Sequence, residues 1–105
     1  MTPNFSGCGT ALVTPFTASG AVDETRMHLL TLRQIDGGAN FLVPCGTTGE
    51  NPTLSGAEQR KIVESVVETA AGRIPVLAGA GGYNTQAVTQ LAAEMQRAGA
   101  DGILS

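Results

Sequence analysis

The chain has 105 residues, six Lys plus Arg against nine Asp plus Glu, and a formal net charge of −3. Scattered cations on an acidic chain exclude the clustered Lys and Arg that nucleic-acid binding needs. A hydrophobic content of 42% with so small a net charge excludes intrinsic disorder, and no run approaches the ~18 consecutive apolar residues of a membrane helix.

The start, from Met1 to Gly7, has no basic region and no apolar region, so no signal peptide is expected. With only two cysteines, this favours a reducing cytoplasm. The first strand is expected over Gly9 to Val13, ended by Pro15. Asp23 reads as the N-cap of a helix from Glu24 to Asp36. A second strand follows from Asn40 to Pro44. Ser55 to Glu58 has the form of a capping box and opens a second helix. Ile62, Val63, Val66, Val67 and Ala70 fall on one face of it. A third strand is expected from Ile74 to Ala78. The third helix starts near Asn84 and should bury Val88, Leu91, Ala92 and Met95. A fourth strand begins at Gly102.

Gly38-Ala39-Asn40 and Gly99-Ala100-Asp101 form a weak echo. In each, a helical pattern ends at glycine and a strand follows at once. Apolar strands alternating with amphipathic helices at a spacing of roughly 30 residues require a parallel sheet covered by helices. An open doubly wound sheet and a (β/α)8 barrel both fit. The turn after the first strand, Thr14 to Gly20, lacks the Gly-x-Gly-x-x-Gly of a dinucleotide fold. The unusual loops follow the second and third strands instead, on the face where barrel enzymes keep their chemistry.

The first of these loops is Cys45-Gly46-Thr47-Thr48-Gly49-Glu50-Asn51. Two glycines bracketing two hydroxyls can cradle a carboxylate or phosphate; a tight turn with threonines bonding the backbone is the plainer reading. The second, Gly79 to Thr85, carries the same ambiguity, and Asn84 reads as a helix cap.

Three stretches resemble the pyruvate-dependent aldolase and lyase family: Gly9 to Phe16, Gly46 to Leu54, and Gly72 to Gly79 with Asn84-Thr85. The match is collinear along essentially the whole chain. Thr47 is similar to the branch that condenses pyruvate with aspartate semialdehyde in lysine biosynthesis; the sialic-acid branch looks like Gly-Ser-Thr-Gly-Glu there. The resemblance implies an α/β fold, the N-terminal part of a (β/α)8 TIM barrel with strands one to four and helices one to three, as a single domain over residues 1–105. It implies a lyase in which a lysine forms a Schiff base with pyruvate, with no metal and no cofactor, as a cytoplasmic homotetramer built as a dimer of dimers. Thr47 matches a threonine that links two tyrosines into a proton relay. Thr48 matches a residue that holds the pyruvate carboxylate. Gly79 matches a glycine that keeps room beside the bound keto acid.

A full barrel needs ~250 residues. The resemblance places the Schiff-base lysine and both relay tyrosines beyond Ser105, and the 105-residue segment alone is expected to be inactive. Lys61, the sole lysine, sits in the second helix and is expected at its solvated edge. Tyr83 matches neither relay tyrosine. His28 has no second ligand at metal spacing. Cys8 and Cys45 lie toward opposite ends of neighbouring strands, which disfavours a disulfide. Cys45 beside the loop leaves a thiol nucleophile conceivable. In the family's lysine-inhibited pattern a histidine stands at Gln59 and a glutamate at Ala87, so weak lysine inhibition is expected here. A non-catalytic half-barrel and a sister aldolase of sugar-acid or sialic-acid type are the alternatives.

Overall fold

The computed structural model describes residues 2–105. Its elements alternate: β1 (Gly9–Ala11), α1 (Glu24–Asp36), β2 (Phe41–Val43), α2 (Gly56–Ala70), β3 (Leu77–Gly79), α3 (Thr85–Arg97) and β4 (Gly102–Leu104), with a 3-10 turn at Asn51–Thr53. The helix signals act as the sequence suggests. Asp23 accepts the Arg26 amide in front of α1, and Asn84 accepts the Ala87 amide in front of α3. Ser55 and Glu58 form a complete capping box before α2. Each cap satisfies an amide that the helix itself leaves unpaired, worth about 1 kcal/mol.

The four strands run parallel in the order β1-β2-β3-β4. β1 pairs with β2 and β3 with β4 over three residues each. β2 and β3 are joined more sparsely. The Leu42 amide donates to the Pro75 carbonyl at 3.0 Å and the Gly79 amide to the Pro44 carbonyl at 2.9 Å. β3 begins three residues later than expected. Pro75 has no N–H for the ladder, and the Val76 amide is taken by the Asp101 carboxylate at 2.9 Å. Only from Leu77 are the amides free to pair. β1 likewise stops early: Leu12 still donates to Val43, and the chain then leaves the sheet at Val13.

The echo in the sequence has a physical counterpart. Asn40, just before β2, accepts the Cys8 amide just before β1. Asp101, just before β4, accepts the Val76 amide just before β3. In both, the residue after a helix exit caps the entry to the neighbouring strand. The glycines before them, Gly38 at φ 93° and Gly99 at φ 104°, supply the left-handed exit.

The core lies between strands and helices. Leu12, Leu42, Val76 and Ala78 pack with Met27 of α1, with Ile62, Val63 and Val66 of α2, and with Met95 of α3. Full burial of each aliphatic side chain contributes about 1.5–3 kcal/mol. The molecule's shortest dimension, 20 Å, is that of one helix layer on one strand layer. α3 departs from expectation. Met95 is buried, whereas Val88, Leu91 and Ala92 are only half-buried. Among the described residues α3 has α2 and β4 to pack on and no helix on its other flank.

Candidate functional site

The loops at the C-terminal ends of the strands build one site. Cys45 turns the chain off β2 in a left-handed conformation, φ 59°. Its side chain is buried and its Sγ donates to the Gln59 carbonyl at 3.6 Å. Burial pushes the thiol from 9.0 up to about 12. A thiol so reluctant to ionise is no nucleophile near neutral pH.

A tight turn follows. The Gly49 amide donates to the Gly46 carbonyl and the Glu50 amide to the Thr47 carbonyl, both at 3.0 Å. Gly49 is buried, and its carbonyl accepts a 2.7 Å hydrogen bond from the Thr14 hydroxyl at the end of β1. In the sequence Thr14 stands in the Gly9 to Phe16 stretch and opens the turn after the first strand, and neither place assigns it to the site. Between these anchors Thr47 and Thr48 are exposed. Among the described residues neither their amides nor their hydroxyls donate to a protein acceptor. Two adjacent residues thus hold four free donors, a set suited to a carboxylate.

Thr47 also borders a cleft of about 480 Å³ with Asn51, Gln59, Gly81 and Tyr83. Gln59 is buried and holds the loop from behind. Its Nε2 donates to the Asn51 and Leu54 carbonyls, each at 3.3 Å, and its Oε1 has no partner among the described residues. Tyr83 is fully exposed. Thr48 and Gly79 lie outside this cleft. Gly79 is buried beneath the turn, against the backbone of Cys45 and Gly46. The structure therefore gives Gly79 a steric reason of its own, apart from any ligand.

The other singled-out residues stand apart from the loop. Lys61 is 73% exposed and pairs with Glu24 at 3.1 Å. His28 Nδ1 meets the Thr69 hydroxyl at 2.9 Å on the α1–α2 surface. Cys8 is exposed and both cysteines are free. Among the described residues no three His, Cys, Asp or Glu side chains gather at metal-binding range. A second groove, about 520 Å³, lies between α1 and α2. Its charges are already engaged: Lys61 by Glu24, and Glu58 by the Ser55 amide. Among the described residues no helix is long and apolar enough to cross a membrane.

Residues 4–105 match the model of the dihydrodipicolinate synthetase family. The chain belongs to that family. It is 51% identical over 100 residues to the 4-hydroxy-tetrahydrodipicolinate synthase of Rhizobium meliloti, covering 95% of this chain and 34% of that protein. The dihydrodipicolinate synthase of Aquifex aeolicus superposes with a TM-score of 0.90 at 43% identity, over 94% of this chain and 33% of that one. That of Acinetobacter baumannii, solved with pyruvate, superposes with a TM-score of 0.92 at 34% identity, over 95% and 34%. The chain thus spans about a third of the length of the relatives it matches. Its four strands and three helices are the N-terminal part of the family's (β/α)8 barrel, and the Thr47–Thr48 turn is a loop on the barrel's C-terminal face.

Proposed function

We propose that the chain is the N-terminal segment of a dihydrodipicolinate synthase, a cytoplasmic lyase that condenses pyruvate with aspartate semialdehyde. One observation carries the reading. The Thr47–Thr48 turn, pinned to β1 at Gly49 and seated on β3 at Cys45, presents four unused donors at the strand ends. The family membership and the pyruvate in the Acinetobacter baumannii structure support a keto-acid carboxylate as their ligand.

In this reading the Thr48 amide and hydroxyl hold the carboxylate. Such donors need no cation, because their dipoles are fixed before the ligand arrives. The Thr47 hydroxyl passes a proton between two phenols supplied by the rest of the enzyme. A hydroxyl accepts one proton while donating another, so it relays without becoming charged. The Schiff-base lysine comes from a later strand. Lys61 is solvated and salt-bridged, and nothing desolvates it into an amine nucleophile. The full-length enzyme would be a homotetramer. The cleft beside Thr47 has no charged side chain in its lining. A lysine ligand would find no carboxylate from this chain there, which supports weak lysine inhibition.

The test is borohydride reduction of the full-length enzyme in the presence of pyruvate. One pyruvyl group per chain, on a lysine outside this segment, is expected. No adduct at saturating pyruvate would overturn the reading.

A further inference from the structure

Thr14 and Gly49 are 35 positions apart and touch through one short hydrogen bond, 2.7 Å from the Thr14 hydroxyl to the Gly49 carbonyl. Thr14 is 6% exposed, so this bond is sheltered from water. Pro15 restricts Thr14 to an extended backbone, which limits where its hydroxyl can reach. On the other side, Gly49 lacks a Cβ where one would stand 3.0 Å from the Leu12 carbonyl oxygen and 3.3 Å from the Cys45 amide nitrogen. The turn is therefore seated directly on the end of β1. Its other end is fixed at Pro44, whose carbonyl takes the Gly79 amide at 2.9 Å. Between the two anchors stand the free amides of Thr47 and Thr48.

We propose that Thr14 is a positioning residue of this site: by holding the Gly49 carbonyl it fixes where the Thr47 and Thr48 donors stand. The proposal rests on the keto-acid reading above. A short span clamped at both ends has no slack. Releasing one clamp moves the donors, and a displacement near 1 Å is enough to lower turnover by about 100-fold. Replacing the hydroxyl with a methyl also leaves a buried carbonyl without its donor, so the turn gains a reason to move.

The experiment compares Thr14→Val with Thr14→Ser in the full-length enzyme, at a temperature where circular dichroism shows both folded. Thr14→Val is expected to raise KM for pyruvate and lower kcat together, reducing kcat/KM by about 10–100-fold. Thr14→Ser keeps the donor and is expected to return kcat/KM to within about threefold of the parent. Unchanged kcat and KM in Thr14→Val, even with a lower melting temperature, would make Thr14 a fold residue only and overturn the proposal. Equal losses in Ser and Val would overturn it too. Should Thr14→Val fail to fold, Gly49→Ala disturbs the same seat, because its Cβ would stand 3.3 Å from the Thr14 hydroxyl oxygen and 3.0 Å from the Leu12 carbonyl oxygen. A raised pyruvate KM in Gly49→Ala supports the proposal, and a parental KM overturns it. The parent enzyme separates the two levels. A parent with no reducible pyruvate adduct ends the keto-acid reading and this proposal together. A parent with the adduct and an unaffected Thr14→Val ends this proposal alone.

Discussion

Gly79 lies against the Cys45 carbonyl with no room between them for one methyl group. A Cβ on Gly79 would overlap that carbonyl and stand 2.9 Å from the Gly46 amide nitrogen. The obstacle is backbone, which cannot swing aside as a flexible side chain can. Gly79→Ala must therefore separate β3 from the end of β2, where the Gly79 amide and Pro44 carbonyl now meet at 2.9 Å. Overpacking of this kind costs about 1–3 kcal/mol. A lower denaturation midpoint and a higher pyruvate KM are expected in the full-length enzyme. An unchanged midpoint in urea would show that the strands tolerate the methyl.

Thr47 and Thr48 should separate by kinetics and leave stability alone. Both are exposed, and neither hydroxyl bonds to the protein among the described residues. Thr47→Val and Thr48→Val are thus expected to melt within about 0.5 kcal/mol of the parent. In the full-length enzyme, Thr47→Val should lower kcat by about 10²-fold or more, the scale of a lost proton-transfer step. Thr48→Val should mainly raise the pyruvate KM, as one charge-assisted contact is lost. Normal kcat and KM in both variants would remove this turn from the active site.

The sequence shows the helices more clearly than the strands. Asp23, Ser55-Glu58 and Asn84 announce helix starts through bonds made within three residues, and each forms. Strand limits depend on partners elsewhere in the chain. β3 begins at Leu77 and not at Ile74 because Asp101, 25 residues away, claims the Val76 amide. The 3-10 turn at Asn51–Thr53 escaped notice because it rests on a left-handed Glu50, φ 59°, which no local rule demands. In the site, the glycines and threonines of the turn are visible as types. Their anchorage by Thr14 and by Gly79 is long-range contact, which spacing cannot report.

Cys45 makes stability fall at high pH. Its thiol is held protonated in the fold, with its pKa raised from 9.0 to about 12. Once the pH passes 9, an unfolded chain loses this proton and the folded chain keeps it. The unfolded state is then favoured increasingly between pH 9 and about 12, and the contribution is fully present below pH 9. The same burial protects the thiol. Iodoacetamide at pH 8 should label Cys8, which is exposed, and spare Cys45 until denaturant is added. Native double labelling, read by mass spectrometry, would contradict the buried position.

The 105-residue chain by itself should form no reducible adduct with pyruvate. Lys61 is its only lysine. The side chain is 73% exposed and lies 3.1 Å from Glu24. A Schiff-base lysine must be desolvated or set beside a cation, and Lys61 is neither. Intact mass after borohydride treatment with pyruvate is expected to match the untreated chain. A stoichiometric increase at Lys61 would refute this.

The isolated chain is expected to associate. β1 and β4 stand at the two ends of the strand order and have no partner on their outer sides among the described residues. Unpaired edges beside apolar surface template further pairing. Val13 at the end of β1 is 52% exposed and Leu104 in β4 is 49% exposed. Val88 and Leu91 add the half-uncovered face of α3. The charge best placed to guard the β4 edge is Asp101, and its carboxylate is already engaged on the Val76 amide. A core of Leu42, Val63, Val66 and Met95 still holds strands to helices, so secondary structure should persist while the edges seek partners. Size-exclusion chromatography with light scattering should show a mass that rises with concentration. Circular dichroism should show a helical far-UV spectrum throughout. A concentration-independent monomer with one cooperative melt would show that three βα units and a fourth strand satisfy their own edges.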